Sequence, residues 1–406
     1  GDGDGEGGGG GGGEKGVGGM DILGPLDIID TAWGDMGFLD PKVDKATMGC
    51  DYIFDLRPVA NARANGIKNG GGAEETMYYA ARGRLCKMLN ADIPNIYAVR
   101  RSYEKLEAIC KEGYDSKSGQ QPSGWTREYA DSQWSDHIVT LMNAAKQVVK
   151  LMTEDKSSVL VHCSDGWDRT SQVVALAMML MDPYYRTING FFVLIEKEWL
   201  SFGHQFATRC GHGTRSMKES KRSPIFLQWV EAVWQLVQQF PAHFEFNEQL
   251  LIALLDLMYA CRFGNFLFNS EMVRREENLE SRTQSIWDHL RRYSDRFRSP
   301  TFGIVESAQS SDQPPLIPIC SGKQIRIWRS YHLRWDTELQ PEPRVDTHTL
   351  LQLRLLRLEK EIAQLKAQAQ AQGQGQAQGH GTGVKQLGDA KGMATVAEAG
   401  EDEHDG

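Results

Sequence analysis

The sequence predicts an α/β fold with a parallel or mixed central sheet flanked by helices, on three observations. Short runs rich in β-branched and aromatic residues, "YIFDL", "NIYAV" and "VLVH", alternate with segments of helical period, and strands that alternate with helices build a sheet covered on its faces. Ile138, Leu141, Met142, Ala145, Val149 and Met152 recur at three- and four-residue spacing, which is one face of a helix. Residues 159–161 form an apolar run that passes through a short polar loop directly into a second apolar run at 173–181.

Taken in order, residues 1–21 are glycine with scattered charge. They cannot bury enough apolar area to offset the entropy of ordering, and they are expected to be disordered. The first residue is not methionine, so a partial or processed product is expected. Structure should begin near Ile22 and become dense from Tyr52, with "YIFDL" as a strand, 74–90 as a helix, "NIYAV" as a strand and 136–152 as a helix. "VLVH" follows as a strand buried on both faces, and 170–181 as a helix apolar all round. Phe226, Trp229, Val230, Val233, Trp234 and Val237 repeat the helical spacing and read as core rather than as a cofactor pocket. "QIRIW" alternates like a strand. Leu351, Leu355, Leu358, Ile362 and Leu365 are spaced four, three, four and three, a seam of coiled-coil type on a helix over 346–369. Residues 370–406 are expected to be a disordered tail.

Composition narrows the function. With 40% hydrophobic residues in 406, the chain can fill a sizeable core. The apolar run at 173–181 is too short to span a bilayer and no secretion signal opens the chain, so a cytoplasmic protein is expected. Seven cysteines, an odd number without a C-x-x-C pair, suggest neither a disulfide framework nor a zinc site; reduced thiols are the default, and any one of them is open to chemistry. A net charge of −9 argues against nucleic acid as a partner. Between Lys197 and Arg222, six Lys or Arg face two acids, which marks either a phosphate-facing surface or an ordinary solvated loop.

The loop "HCSDGWDRT" between the apolar runs carries the chemistry. A loop that ends in a helix N-terminus offers unpaired backbone N–H groups and the positive end of the helix dipole, which together cradle an anion. Cys163 opens that loop, where the same amides favour its thiolate and make it a nucleophile. Arg169 can hold two oxygens of a phosphoryl group, Gly166 permits the tight turn, and Thr170 can donate to the sulfur. C-x-x-x-x-x-R between strand and helix is the phosphate loop of cysteine-dependent phosphatases. Cys320 and Arg326 in "CSGKQIR" have the same spacing, but the cysteine follows Pro318 instead of a strand and no helix start follows. The alternative for Cys163 is a buried structural cysteine. Of the two aspartates, Asp168 is the first choice as general acid and Asp165 the second; either could instead cap the helix.

The same loop resembles the signature of the myotubularin family, and the similarity continues through "FDLRPVANARAN", "PYYRTINGF", "EKEWLSFGHQF", "GHG", "RSPIFLQ", "QFPAHFEFNE", "FGNFLFNSE" and "WRSYHLRW". It spans residues 50–341, about 72% of the chain. The resemblance implies a protein-tyrosine-phosphatase-like domain over 22–341 that removes the 3-phosphate from phosphatidylinositol 3-phosphate and 3,5-bisphosphate without metal or cofactor. It also implies a peripheral place on endosomal membranes, with the phosphoinositide headgroup as partner. Carried over, Ser164, Gly166, Trp167, Thr170, Asn65, Lys68, Asn95 and Arg209 bind substrate; for Asn65, Lys68 and Asn95 the alternative is a polar turn residue.

Three departures stand out. The membrane-binding and opening catalytic segments usual in the family are replaced by glycine-rich sequence. Gln205 stands where members favouring the bisphosphate tend to have arginine. Leu56 in "DLRP" replaces the commoner alanine. Two other functions compete: an inert truncated member that acts as a homo- or hetero-dimer partner through the 351–365 seam, and a protein tyrosine phosphatase.

Overall fold

The computed structural model describes residues 49–59, 74, 76–79, 85–112, 124–213, 219–303, 313–335 and 347–378. The chain divides into two units, Gly1–Asp346 and Thr347–Gly406.

Among its described residues the first unit is built on a parallel three-stranded sheet in the order β2-β1-β3: β1 is Tyr52–Asp55, β2 Lys87–Asn90 and β3 Val159–His162. Tyr52 lies opposite Lys87 on one side and Val159 on the other. Only β1 is central, and its Ile53, Phe54 and Asp55 are fully buried. The expectation that β3 is buried on both faces fails. β3 is an edge strand among the described residues, its valines are half-buried and Leu160 is 36% exposed. Leu56, at the end of β1, is fully buried. Its amide donates to His162 O (2.9 Å) and its carbonyl accepts from Ile93 (3.0 Å), so the larger side chain adds apolar area to the core where the family more often has alanine.

Two elements are exchanged relative to expectation. In place of the helix expected over 74–90, the described residues of that segment hold a 3₁₀ turn at Thr76–Tyr79 and then β2. "NIYAV" is not a strand but opens helix α1, Ile96–Glu112. Asn95 Oδ1 accepts from the amides of Tyr97 and Ala98, 3.1 Å each, and thereby supplies the helix start. Val99, Leu106 and Ile109 then bury one helical face. For 74–90, pairing with the free edge of β1 overrides local propensity.

Helices α2 (Trp125–Ser132), α3 (Trp134–Thr153), α4 (Arg169–Met181) and α5 (Ile188–Ile195) follow. α5 continues as a π-helical segment, Glu196–Ser201, before the short α6 (Phe206–Cys210). α7 (Ile225–Gln239) is the centre of the helical layer: every residue from Ile225 to Val237 is buried, not only the apolar stripe. Its polar residues therefore need internal partners. Gln228 accepts from Gln172 (2.9 Å), and Glu231 accepts from the Trp134 indole (2.8 Å) and meets His332 at 2.8 Å.

Gln235 and Gln239, one turn apart on α7, pair through their amides with the backbone of Arg326 and Ile319 respectively. This explains "QIRIW", which alternates without being a strand. Arg326 pairs with the Gln235 side chain, the amides of Gln324 and Ile325 turn back to Ser321 O at 2.9 and 3.1 Å, and Ile325 and Trp328 are buried. Cys320 precedes no helix start; the next helix begins at Arg329. Beyond α8 (Glu248–Tyr259) the unit closes with short helices, among them Ile286–Arg292, whose Trp287 indole donates to Glu196.

The second unit contributes one helix, Thr347–Gln378. It covers the expected 346–369 and runs on through an alanine–glutamine repeat assigned above to the tail, since both residues are good helix formers. Leu355, Leu358, Ile362 and Leu365 are 46–64% exposed on it. No helix among the described residues is long and apolar enough to cross a membrane.

Candidate active site

β3 ends at His162 and α4 begins at Arg169, so Cys163 and the five residues after it bridge the carboxyl end of a parallel strand and a helix N-terminus, where ligands of open α/β sheets bind. Cys163 is buried, and its Sγ accepts from the amide of Gly166 at 3.3 Å. Gly166 has φ 88°, and a Cβ there would meet nothing within 4 Å; the glycine is required by its left-handed backbone rather than by space. Among the described residues no acceptor takes the amides of Ser164, Asp165, Trp167, Asp168 or Arg169. Arg169 curls back over the loop, donating to Ser164 Oγ (3.1 Å) and Ile93 O (3.4 Å). Thr170 Oγ1 and Trp167 Nε1 are buried without a partner, and Thr170 does not reach the sulfur.

The two aspartates have opposite environments. Asp165 is exposed. Asp168 is buried and accepts from Arg209 twice, Nε to Oδ1 at 3.1 Å and a terminal nitrogen to Oδ2 at 2.7 Å. His204 Nδ1 lies 3.1 Å from the same Oδ1 and 2.8 Å from Trp167 O. Both neighbours are acceptors, so Nδ1 carries the proton. Burial alone would raise the Asp168 carboxyl, but the hydrogen bonds and charge of His204 and Arg209 outweigh it and hold the group at about 2. Asp168 therefore does not cap α4 through its side chain, and the first choice as general acid is an ionised carboxylate in this arrangement.

Arg209 is correspondingly unavailable as an open cation: it is buried, and its remaining terminal nitrogen donates to Lys221 O at 3.3 Å. Lys197 pairs with Glu198 at 3.3 Å, whereas Lys221 and Arg222 are exposed. The basic window thus presents fewer free charges than its composition suggests. Asn95 sits beside Ile93 with its side-chain oxygen engaged as the cap of α1. Asn65 and Lys68 lie outside the described residues.

Sequence reasoning missed two contributors. Asp55, at the end of β1, holds Arg57 through both oxygens at 2.8–3.1 Å, and both residues are buried. The Asp55 hydrogen bond raises the Arg57 guanidinium further, burial opposes it, and the Asp55 charge with a smaller effect from Cys163 adds to the rise. The signal was available in "DLRP", at the carboxyl end of the strand that pairs with β3. His204 is the other; fully buried between Trp199 and Phe206, it had no spacing to announce it.

The myotubularin-like phosphatase domain family matches residues 39–275. The chain is 40% identical over 312 residues to phosphatidylinositol-3,5-bisphosphate 3-phosphatase MTMR2 of Bos taurus, covering 77% of this chain and 46% of that protein. It is 40% identical over 291 residues to the Mus musculus protein of that name, 72% of this chain and 43% of the relative. Myotubularin of Xenopus tropicalis is 39% identical over 306 residues, 75% and 48% of the two chains. The chain thus spans about half the length of the curated relatives it matches.

Replacing Arg209 by methionine leaves Asp168 buried without its main partner, and a loss of about 3–5 kcal/mol in unfolding free energy at pH 7 is expected. Because the folded carboxyl lies below its ordinary 3.8, its contribution is complete above that value and fades as pH falls toward about 2. Urea midpoints of the two proteins should therefore converge between pH 4 and pH 2; a constant gap would contradict the assignment.

Proposed function

The chain belongs to the myotubularin-like phosphatase family, and from that premise we propose that it is a phosphoinositide 3-phosphatase working through a cysteinyl-phosphate intermediate, its phosphatase domain spanning 22–341. The observation that carries this reading is the Cys163 sulfur at 3.3 Å from the Gly166 amide, inside a loop whose other amides have no acceptor among the described residues and over which Arg169 is curled. Cys163 attacks phosphorus, the S–P bond forms and the bond from phosphorus to the inositol 3-oxygen breaks. Arg169 and the loop amides hold the equatorial oxygens as charge develops on them. Water then attacks the thiophosphate and frees the sulfur. Ser164, Trp167 and Thr170 complete the wall of the phosphate site, and the Arg57 guanidinium, held by Asp55, adds positive charge at that end of the sheet.

Asp165 is the carboxyl open to pick up and hand over a proton. Asp168 joins it only if a substrate anion draws Arg209 away. Since Arg209 is engaged by Asp168 and Gln205 adds no charge, a second phosphate on the ring gains little, and the monophosphate is the preferred lipid. The reaction takes place in the cytoplasm on endosomal membranes, which the protein touches peripherally. The exposed Leu355, Leu358, Ile362 and Leu365 support a further reading of 346–369 as a coiled-coil seam joining two chains.

Phosphate release from short-chain phosphatidylinositol 3-phosphate should equal or exceed that from the 3,5-bisphosphate and vanish in Cys163→Ser while lipid binding persists; residual turnover near wild type would sink the mechanism. Asp165→Asn should slow the alkyl phosphate by about 10²–10⁴-fold and leave an aryl phosphate with a good leaving group nearly untouched. The same pattern from Asp168→Asn instead would move the proton to Asp168. Light scattering should give a dimer mass that Leu358→Glu with Ile362→Glu reduces to the monomer's; a wild-type monomer would refute the seam.

A further inference from the structure

The sequence offers no disulfide framework, yet two of its seven cysteines meet. Cys50 lies two residues before β1 and Cys86 immediately before β2, and their sulfurs are 3.6 Å apart across 36 residues of chain. Neither is placed by a loose end. The Cys50 amide donates to Tyr79 O at 3.1 Å, and the Lys87 amide donates to Asp51 O at 2.9 Å as the first rung beyond the ladder. The sulfurs are thus brought together by the parallel register of β1 and β2, at the amino-terminal rim of the sheet. Cys163 sits at the opposite, carboxyl rim, so this pair takes no part in the phosphate site.

We propose that Cys50 and Cys86 are an oxidation site, a dithiol that a peroxide converts to a disulfide clasping the first two strands. The sulfurs must close by about 1.5 Å to reach the bond length, a change that rotation about the Cα–Cβ bonds can supply without breaking either backbone rung. Cys50 is half-buried and meets the oxidant first, whereas Cys86 is buried and follows as the resolving thiol. In the first step the Cys50 sulfur attacks one peroxide oxygen, the O–O bond breaks and water leaves, giving the sulfenic acid. In the second the Cys86 sulfur attacks Cys50, the S–O bond breaks and a second water leaves. Two thiols are oxidised to one disulfide and one peroxide is reduced to two waters. Burial, and then the neighbouring Cys50, push the Cys86 thiol up to about 11, so the second step speeds up as the solution is made more alkaline.

The bond would close the connection that carries Arg57. It ties the strand presenting the Asp55–Arg57 pair to β2, and by removing conformations from the unfolded chain it should raise the melting temperature.

The test uses the full chain carrying Cys163→Ser, so that the loop cysteine does not consume oxidant. After brief treatment with hydrogen peroxide and alkylation of free thiols, trypsin should release the tripeptide 85–87 joined to the peptide 46–63, two hydrogens lighter than the sum of the pair. The link should dissolve in dithiothreitol, be absent from Cys50→Ala and fall several-fold when peroxide is added in denaturant. The oxidised protein should melt a few degrees above the reduced one, with no such shift in Cys86→Ala. Recovery of both cysteines alkylated, or of Cys50 as a sulfinic acid, would overturn the proposal, as would a linked protein that melts no higher.

Discussion

A helix N-terminus cannot satisfy its own first amides, and a loop kept open for an anion cannot satisfy them either. If the loop after Cys163 takes a phosphate as proposed, it has to be fixed by bonds made from outside it, through groups that point away from the anion. One buried histidine and one buried arginine do this. His204 binds the Trp167 carbonyl and Asp168 together, and Arg209 grips the Asp168 carboxylate from α6. With its carbonyl and carboxylate ends held behind, the loop has its amides left on the other side. The negative charge of Asp168, which at first sight opposes a phosphate site, is neutralised where it stands and serves as the anchor.

The strands set where that anchor acts. β1 passes between β2 and β3 in register, and its carboxyl end delivers Leu56 to His162 O and Ile93, next to the carbonyl that receives Arg169. Arg57 follows directly, locked by both oxygens of Asp55. Two guanidiniums from different elements are thus each held by neighbours: Ser164 Oγ and Ile93 O for Arg169, Asp55 for Arg57.

How much of this was legible in the sequence depended on whether a feature was local. The loop, its glycine and its strand-to-helix setting were readable because the chemistry lies within nine consecutive residues. The helices over α3, α4 and α7 were readable from apolar period. The exchange of β2 and α1 was not, because "KMLN" becomes a strand only through the edge of β1, and "NIYAV" looks extended until the Asn95 cap is weighed above its β-branched content. β3 was misjudged because three apolar residues say nothing about how many neighbours a strand has. His204 and the grip of Arg209 on Asp168 join residues about forty apart, and no spacing rule reports such a pair. "QIRIW" shows the converse, a true alternation in which Arg326 bonds a glutamine side chain and its neighbours turn back on Ser321 instead of joining a ladder.

Those glutamines bear on where the folding unit ends. The family match stops at residue 275, but α7, the most enclosed helix, is closed over by chain that comes later: Gln235 and Gln239 hold residues 326 and 319, and Glu231 and Glu248 take His332, Trp328 and Ser330. A polypeptide stopped at 275 would leave the Gln235 and Gln239 amides without their backbone partners and Glu231 and Glu248 with the indoles of Trp134 and Trp234 alone. The span recognised as a family and the span that encloses α7 therefore differ in this protein, and the second is the longer of the two.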